Sequence, residues 1–252
     1  MKRLLLATAL PLLAAAGATT AAHAAETNVA VAANFTEPAK EIAKAFEAKT
    51  GHKAVLSFGA TGQFYAQIRQ DAPFTVFLAA NDETPAKAVQ EGLAVADSRF
   101  TYAIGRLALW SKDPAKVTGE ETLKKAAFEK VAIANPATAP YGTAAVQAMK
   151  KMGVYDALAP KLVQGNTIAQ TYQFVETGNA EVGFVAQSQV IAKNEGSRWL
   201  VPEPLHEPIR QDAVLLKKGA SDEAAKAFLA FLKGPEAGAV IARFGYGTAT
   251  LN

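Results

Sequence analysis

The chain has 252 residues, half of them hydrophobic and 19% charged, with no cysteine and a formal net charge of +3. That is enough chain for one large domain or two ordinary lobes with a real core, and it excludes a disordered, collagen-like or disulfide-stapled protein. The lack of cysteine also excludes thiolate metal sites, a cysteine nucleophile and a lipid-modified cysteine anchor.

The first 24 residues read as a secretory signal peptide. Lys2 and Arg3 precede an apolar run over 4–17, and Ala22-His23-Ala24 is a small-x-small cleavage pattern. The run is too short and alanine-rich for a spanning helix. Cleavage after Ala24 leaves 228 residues and removes two basic and no acidic side chains, so the charge falls to +1. A soluble periplasmic protein is expected, with little net charge to attract a nucleic acid or a membrane.

Apolar β-type runs then alternate with helix-period segments, the pattern of α/β architecture. Residues 28–33 form a strand run. Asn34-Phe35-Thr36-Glu37-Pro38 opens a helix with Asn34 as its cap, Phe35, Ala39, Ile42 and Phe46 share one face, and Gly51 ends it. Residues 53–58 are a strand, 59–62 a turn, and Phe64, Tyr65 and Ile68 a helix face. A strand over 76–80 follows, with Thr84-Pro85 as cap and first helical residue and Gly92 as the stop. The pattern restarts with strands at 107–110 and 131–134 and a helix from Pro140-Tyr141-Gly142-Thr143 to Gly153. A strand at 162–164 precedes Asn166-Thr167-Ile168, which opens a helix ending at Gly178. Strands at 182–185 and 199–201, a Pro-rich stretch, an apolar run at 213–216 and helices over 221–233 and 235–244 complete the chain.

These blocks predict two α/β lobes joined near 101–105 and 208–212, the first from 25–103 and 210–252, the second from 104–209. Each lobe is expected to hold a mixed, mostly parallel sheet flanked by helices. A cleft between lobes is where a small molecule is expected to bind, and closure about a hinge is a standard switching motion.

Enzymatic signals are thin. After cleavage only His52 and His206 remain, in no metal-binding spacing, and no nucleophile elbow or phosphate loop is present. Phe244-Gly245-Tyr246-Gly247 follows a helix and reads as its end. Asp82-Glu83 and Glu120-Glu121 sit at helix starts, where acids complement the dipole. The stronger signal is a set of four strand-to-helix turns without Lys or Arg: Ala33-Asn34-Phe35, Ala60-Thr61-Gly62, Tyr141-Gly142-Thr143 and Asn166-Thr167-Ile168. Each helix start carries unpaired N–H groups and a positive dipole end. One such turn is equally what local capping produces. Two per lobe, converging on a cleft, would surround a small oxyanion with uncharged donors. Read singly, Thr61 is a helix cap, Tyr141 a packing residue and Ile168 a helix-face residue, and those readings stay open.

The same residues carry a family resemblance. The run from Val29 to Thr36, Ser57 to Gly62 with Gln67-Ile68, Asn135-Pro136 through Tyr141-Gly142, Val182-Gly183-Phe184-Val185, Arg210 to Gly219 and Arg243 to Gly247 together resemble periplasmic molybdate-binding proteins of ABC transporters. The resemblance spans the mature chain in order. It implies a two-lobed periplasmic binding fold, not an enzyme, that closes on molybdate or tungstate and delivers it to a membrane permease and its ATPase. It also implies oxyanion contacts at Asn34, Thr61, Tyr141 and the backbone N–H of Ile168, no cation ligands, no cofactor, and a monomer. Thr61 stands where the family usually shows serine. Tyr141 fills a role that other members give to a later position, here Ala186. Thr75, Ala79, Asn81 and Gln187 depart from the family pattern at expected cleft edges. A binding protein for sulfate or phosphate, and an enzyme on the same scaffold, remain as alternatives.

Overall fold

A computed structural model describes residues 24–247; residues 1–23 of the expected export signal lie outside it. In chain order the elements are β1 (Glu26–Ala32), α1 (Thr36–Thr50), β2 (Lys53–Gly59), α2 (Thr61–Arg69), β3 (Val76–Leu78), α3 (Glu83–Gln90), β4 (Phe100–Gly105), β5 (Leu107–Ser111), α4 (Glu121–Lys125), β6 (Val131–Ala134), α5 (Pro140–Lys151), α6 (Tyr155–Leu158), β7 (Leu162–Gly165), α7 (Ile168–Glu176), β8 (Val182–Ala186), α8 (Gln187–Val190), β9 (Ser197–Leu200), β10 (Ile209–Leu215), α9 (Glu223–Leu232) and α10 (Pro235–Arg243).

They build two five-stranded sheets, ordered β2-β1-β3-β10-β4 and β7-β6-β8-β5-β9. The first three strands of each sheet are parallel; the fourth runs antiparallel to both its neighbours. Each antiparallel strand, β5 or β10, directly follows a passage of the chain from the other sheet. The outward passage is Arg106 alone, and the return is residues 201–208. Helices on both faces make the central parallel strands apolar throughout: every residue of β3, β6 and β8 is buried.

Residues 101–105, which read as a joint, belong instead to β4, paired with β10 through a register shift at Gln211/Asp212. The segment mixes half-buried and buried positions, with Thr101 among its apolar residues, and so lacks the apolar run that marked the other strands. Asn34 is not a helix cap: it lies in a 3-10 turn, and α1 begins after Phe35 without a side-chain cap. Likewise α3 begins at Glu83, so Pro85 falls inside its first turn.

In the first lobe Phe46 of α1 meets Phe228 and Phe231 of α9 edge-on at centroid distances of 5.3 and 5.8 Å. Burial of such rings contributes several kcal/mol, about 3–5 by the cost of truncation to alanine. In the second lobe the core cluster around Leu107, Ile133, Met149 and Phe184 also includes Ala32, Ala33, Ala60 and Ala80 of the first. Small side chains therefore bring the two lobes into direct packing. No helix among the described residues is long and apolar enough to cross a membrane.

Candidate functional site

Parallel strands deliver their C-terminal ends, and the helices that follow, to the line between the lobes. Asn34 follows β1, Thr61 follows β2, Tyr141 stands in the first turn of α5 after β6, and Ile168 opens α7 after β7. All four line one tight cavity of ≈ 10 Å³, together with Ala33, Ala60 and Pro140. Their residue exposures are 3%, 2%, 2% and 4%. The cavity is far smaller than the roughly 300–1,000 Å³ typical of sites for organic ligands.

No Lys, Arg, His, Asp or Glu lines this cavity. Its polar character comes from two sources. Asn34, Thr61, Tyr141 and Ile168 each stand at the first or second position of a helix or 3-10 turn, where an N–H has no acceptor in its own helix. Among the described residues, none of these four N–H groups donates to a group elsewhere. The second source is a pair of hydroxyls. Thr61 Oγ1 accepts from the Ala80 N–H at 2.9 Å, and Tyr141 Oη accepts from Gln211 Nε2 at 3.2 Å. Each oxygen is thus committed as an acceptor, and each keeps a proton to give.

Burial holds the Tyr141 proton well above the ordinary tyrosine range, and the buried Tyr246 nearby adds to this; the Gln211 amide and Arg106 backbone N–H pull the other way. The hydroxyl is therefore a neutral donor at any physiological pH.

Asn34 turns its side chain away from a capping role. Its Nδ2 donates to Gln211 Oε1 at 2.8 Å and to Tyr246 Oη at 3.0 Å, while Tyr246 Oη donates to its carbonyl oxygen at 2.7 Å. Ser188 Oγ of the second lobe donates to the same carbonyl at 2.9 Å. Gln211, Tyr246 and Ser188 were not singled out by sequence. One signal existed: Gln211 and Asp212 are adjacent polar residues in β10, and buried polar groups need partners. Asp212 finds Arg99 at 2.6 Å and Thr101 at 2.7 Å.

The four departures from the family pattern separate. Thr75 hydrogen-bonds Thr27 and the Asn28 carbonyl inside the first lobe, and Ala79 is fully buried. Asn81 lies in the wider open cleft beside the cavity, with Asp82, Glu83, Glu207 and Arg210. Gln187 starts α8, and its N–H bonds the Arg106 carbonyl at 2.9 Å. His52 accepts from the Ala25 N–H, and His206 lies on the return passage. No group of three acidic, His or Cys side chains among the described residues is arranged to hold a metal ion.

Comparison with known proteins gives matches along nearly the whole chain. A family model described as "Bacterial extracellular solute-binding protein" matches residues 27–247. The chain is 59% identical over 227 residues to the molybdate-binding protein ModA of Rhodobacter capsulatus, covering 90% of each. It is 58% identical over 231 residues to ModA of Azotobacter vinelandii, covering 90% of this chain and 92% of that one. Among solved structures, the periplasmic molybdate-binding protein of A. vinelandii superposes with a TM-score of 0.86 at 38% identity, over 88% of this chain and 99% of that one.

Proposed function

The chain belongs to the bacterial extracellular solute-binding protein family, and from that premise we propose that it binds molybdate, and tungstate with it, in the periplasm and passes the ion to an ABC permease. It is a transporter component and not an enzyme. The observation that carries the reading is the buried cavity of uncharged donors, in a chain 59% identical to a molybdate-binding protein.

A dianion entering that cavity loses its hydration, and fixed donors must replace it. Hydrogen bonds to a charged group contribute about 1.5–3 kcal/mol each. Half a dozen, less the cost of ordering, support net binding of about −8 to −12 kcal/mol, in the micromolar to nanomolar range. The proposed donors are the N–H groups of Asn34, Thr61, Tyr141 and Ile168 and the hydroxyls of Thr61 and Tyr141. Ligand that touches both lobes favours the closed arrangement and shifts the population toward it, which is what a permease reads.

The test is native mass spectrometry of the refolded protein with equimolar molybdate, tungstate, sulfate and phosphate, followed by calorimetry. The expected result is one molybdate or tungstate per chain. Occupancy by sulfate or phosphate in their place would overturn the assignment of the ion, while unchanged molybdate affinity in both Thr61→Ala and Tyr141→Phe would overturn the assignment of the site.

A further inference from the structure

We infer that Gln211 is a positioning residue for the oxyanion site: it holds the Tyr141 hydroxyl with its oxygen occupied and its proton turned to the cavity. This rests on the proposed reading of the cavity and names what sets the site's hydrogen-bond polarity.

Gln211 is fully buried on β10, and its side chain reaches both lobes. Its Oε1 receives Asn34 Nδ2 at 2.8 Å and lies 3.1 Å from Tyr102 Oη. With the carbonyl end so occupied, the amide end faces Tyr141 Oη at 3.2 Å. An amide donor on that oxygen leaves the phenolic proton free for the cavity. The chain backbone is cut to fit this pair. A Cβ on Gly105 would come within 2.5 Å of Gln211 Nε2 and closer still to Tyr141 Oη, so the last residue of β4 leaves room only for the hydrogen bond itself.

The arrangement matters because it has an opposite. Were both amides reversed, Gln211 would present its carbonyl to Tyr141, capture the phenolic proton, and turn a lone pair toward the bound anion. One end of a buried amide thus decides whether the site's tyrosine attracts or repels an oxyanion. A carboxylate of the same shape, which is acceptor-only when ionised, imposes the wrong polarity.

The experiment is calorimetry with molybdate on wild type, Gln211→Glu, Tyr141→Phe and the double variant, between about pH 6 and about pH 8.5, with thermal unfolding of each. The titratable groups facing residue 211 are Tyr102 from β4 and Tyr141 from α5, with Tyr246, after α10, one step away through Asn34 Nδ2. Asp212, next along β10, is charged and engaged by Arg99. Burial raises the introduced carboxyl into this range. Gln211→Glu is expected to bind at least about tenfold more weakly at the upper pH and to recover toward the lower one, where the protonated carboxyl again donates. In the Tyr141→Phe background the same change is expected to cost less than about threefold.

Wild-type affinity in Gln211→Glu at every pH overturns the inference. So does a loss that persists in full without the tyrosine hydroxyl, which would mean that charge alone acts. Unchanged binding in Tyr141→Phe overturns the inference too, since the hydroxyl that Gln211 positions would then serve no ion; the site itself falls only if Thr61→Ala is unchanged as well. If Gln211→Glu fails to fold, Gly105→Ala separates the same two atoms with a methyl group. It is expected to weaken binding in the native background and to do little in Tyr141→Phe; an equal loss in both overturns the inference.

Discussion

The Gly62 N–H, in the first turn of α2, donates to the Thr138 carbonyl oxygen at 2.9 Å. The bond runs from one lobe to the other beside the cavity, and nothing but hydrogen separates the two backbones. A Cβ on Gly62 would lie 3.0 Å from Thr138 Cα and 3.2 Å from its carbonyl oxygen, against backbone that has no side-chain freedom to yield. Gly62→Val is therefore expected to wedge the lobes apart. Calorimetry should show molybdate affinity reduced by about tenfold or more, while unfolding of the ligand-free protein changes little, since each lobe keeps its own core. Small-angle scattering should show a ligand-induced compaction in wild type that the variant lacks.

Thr61 serves two purposes that substitution separates. Its oxygen accepts from the buried Ala80 N–H, which leaves its proton free at the wall of the cavity. Thr61→Ser keeps both and is expected to bind within a few-fold of wild type. Thr61→Ala loses both: affinity is expected to fall by about 1–3 kcal/mol, and folding stability by a similar amount because a buried N–H is orphaned. Calorimetry and urea denaturation on the same preparations check both halves.

These contrasts show how far the sequence reaches. The four turns were legible because each is local: a strand run, one to three small or polar residues, then a helix period. Their convergence followed from the parallel strands, whose ends share a side of each sheet. What sequence could not show was the company each residue keeps. Asn34 meets Gln211 across 177 residues and Tyr246 across 212, and no local pattern encodes such pairs. For the same reason Asn34 read as a helix cap, the commonest local use of that residue, whereas its amide ties together the chain's beginning and end. Strand β4 was missed on different grounds: its mixed, partly half-buried pattern is weak beside the apolar runs, and its place in the sheet is set by a distant partner, β10.

Three tyrosines meet near the cavity, and their burial has a consequence at high pH. Burial is the first cause of raised pKa at Tyr102, Tyr141 and Tyr246 alike. A raised value means that the folded protein keeps these protons where the unfolded chain, titrating near 10, gives them up. Stability is thus whole below that pH and falls as pH rises above it, by about 1.4 kcal/mol per pH unit for each tyrosine and about 4 for the three together. Urea denaturation at about pH 9 and about pH 11 is expected to show the loss, and Tyr141→Phe to reduce its slope by one tyrosine's share, about 1.4 kcal/mol per pH unit.

The donor set also predicts an order among oxyanions. No charged side chain lines the cavity, so no group in it titrates near neutrality, and molybdate affinity is expected to stay level between about pH 6 and about pH 9. Hydrogen phosphate carries an O–H of its own. Opposite the outward N–H and O–H groups that proton finds no acceptor, at a cost of about 1–3 kcal/mol. Sulfate has no proton and escapes this penalty, but its shorter bonds to oxygen are expected to lengthen its hydrogen bonds if, on the proposed reading, the lobes close on the larger molybdate. Molybdate and tungstate are therefore expected to raise the unfolding temperature most, sulfate less and phosphate least at equal concentration, since ligand stabilisation grows with the ratio of concentration to Kd. A thermal-shift series measures that order directly. Phosphate ranking above sulfate would show that the cavity presents an acceptor, and would place one of the two hydroxyls, Thr61 or Tyr141, with its lone pair rather than its proton toward the ion.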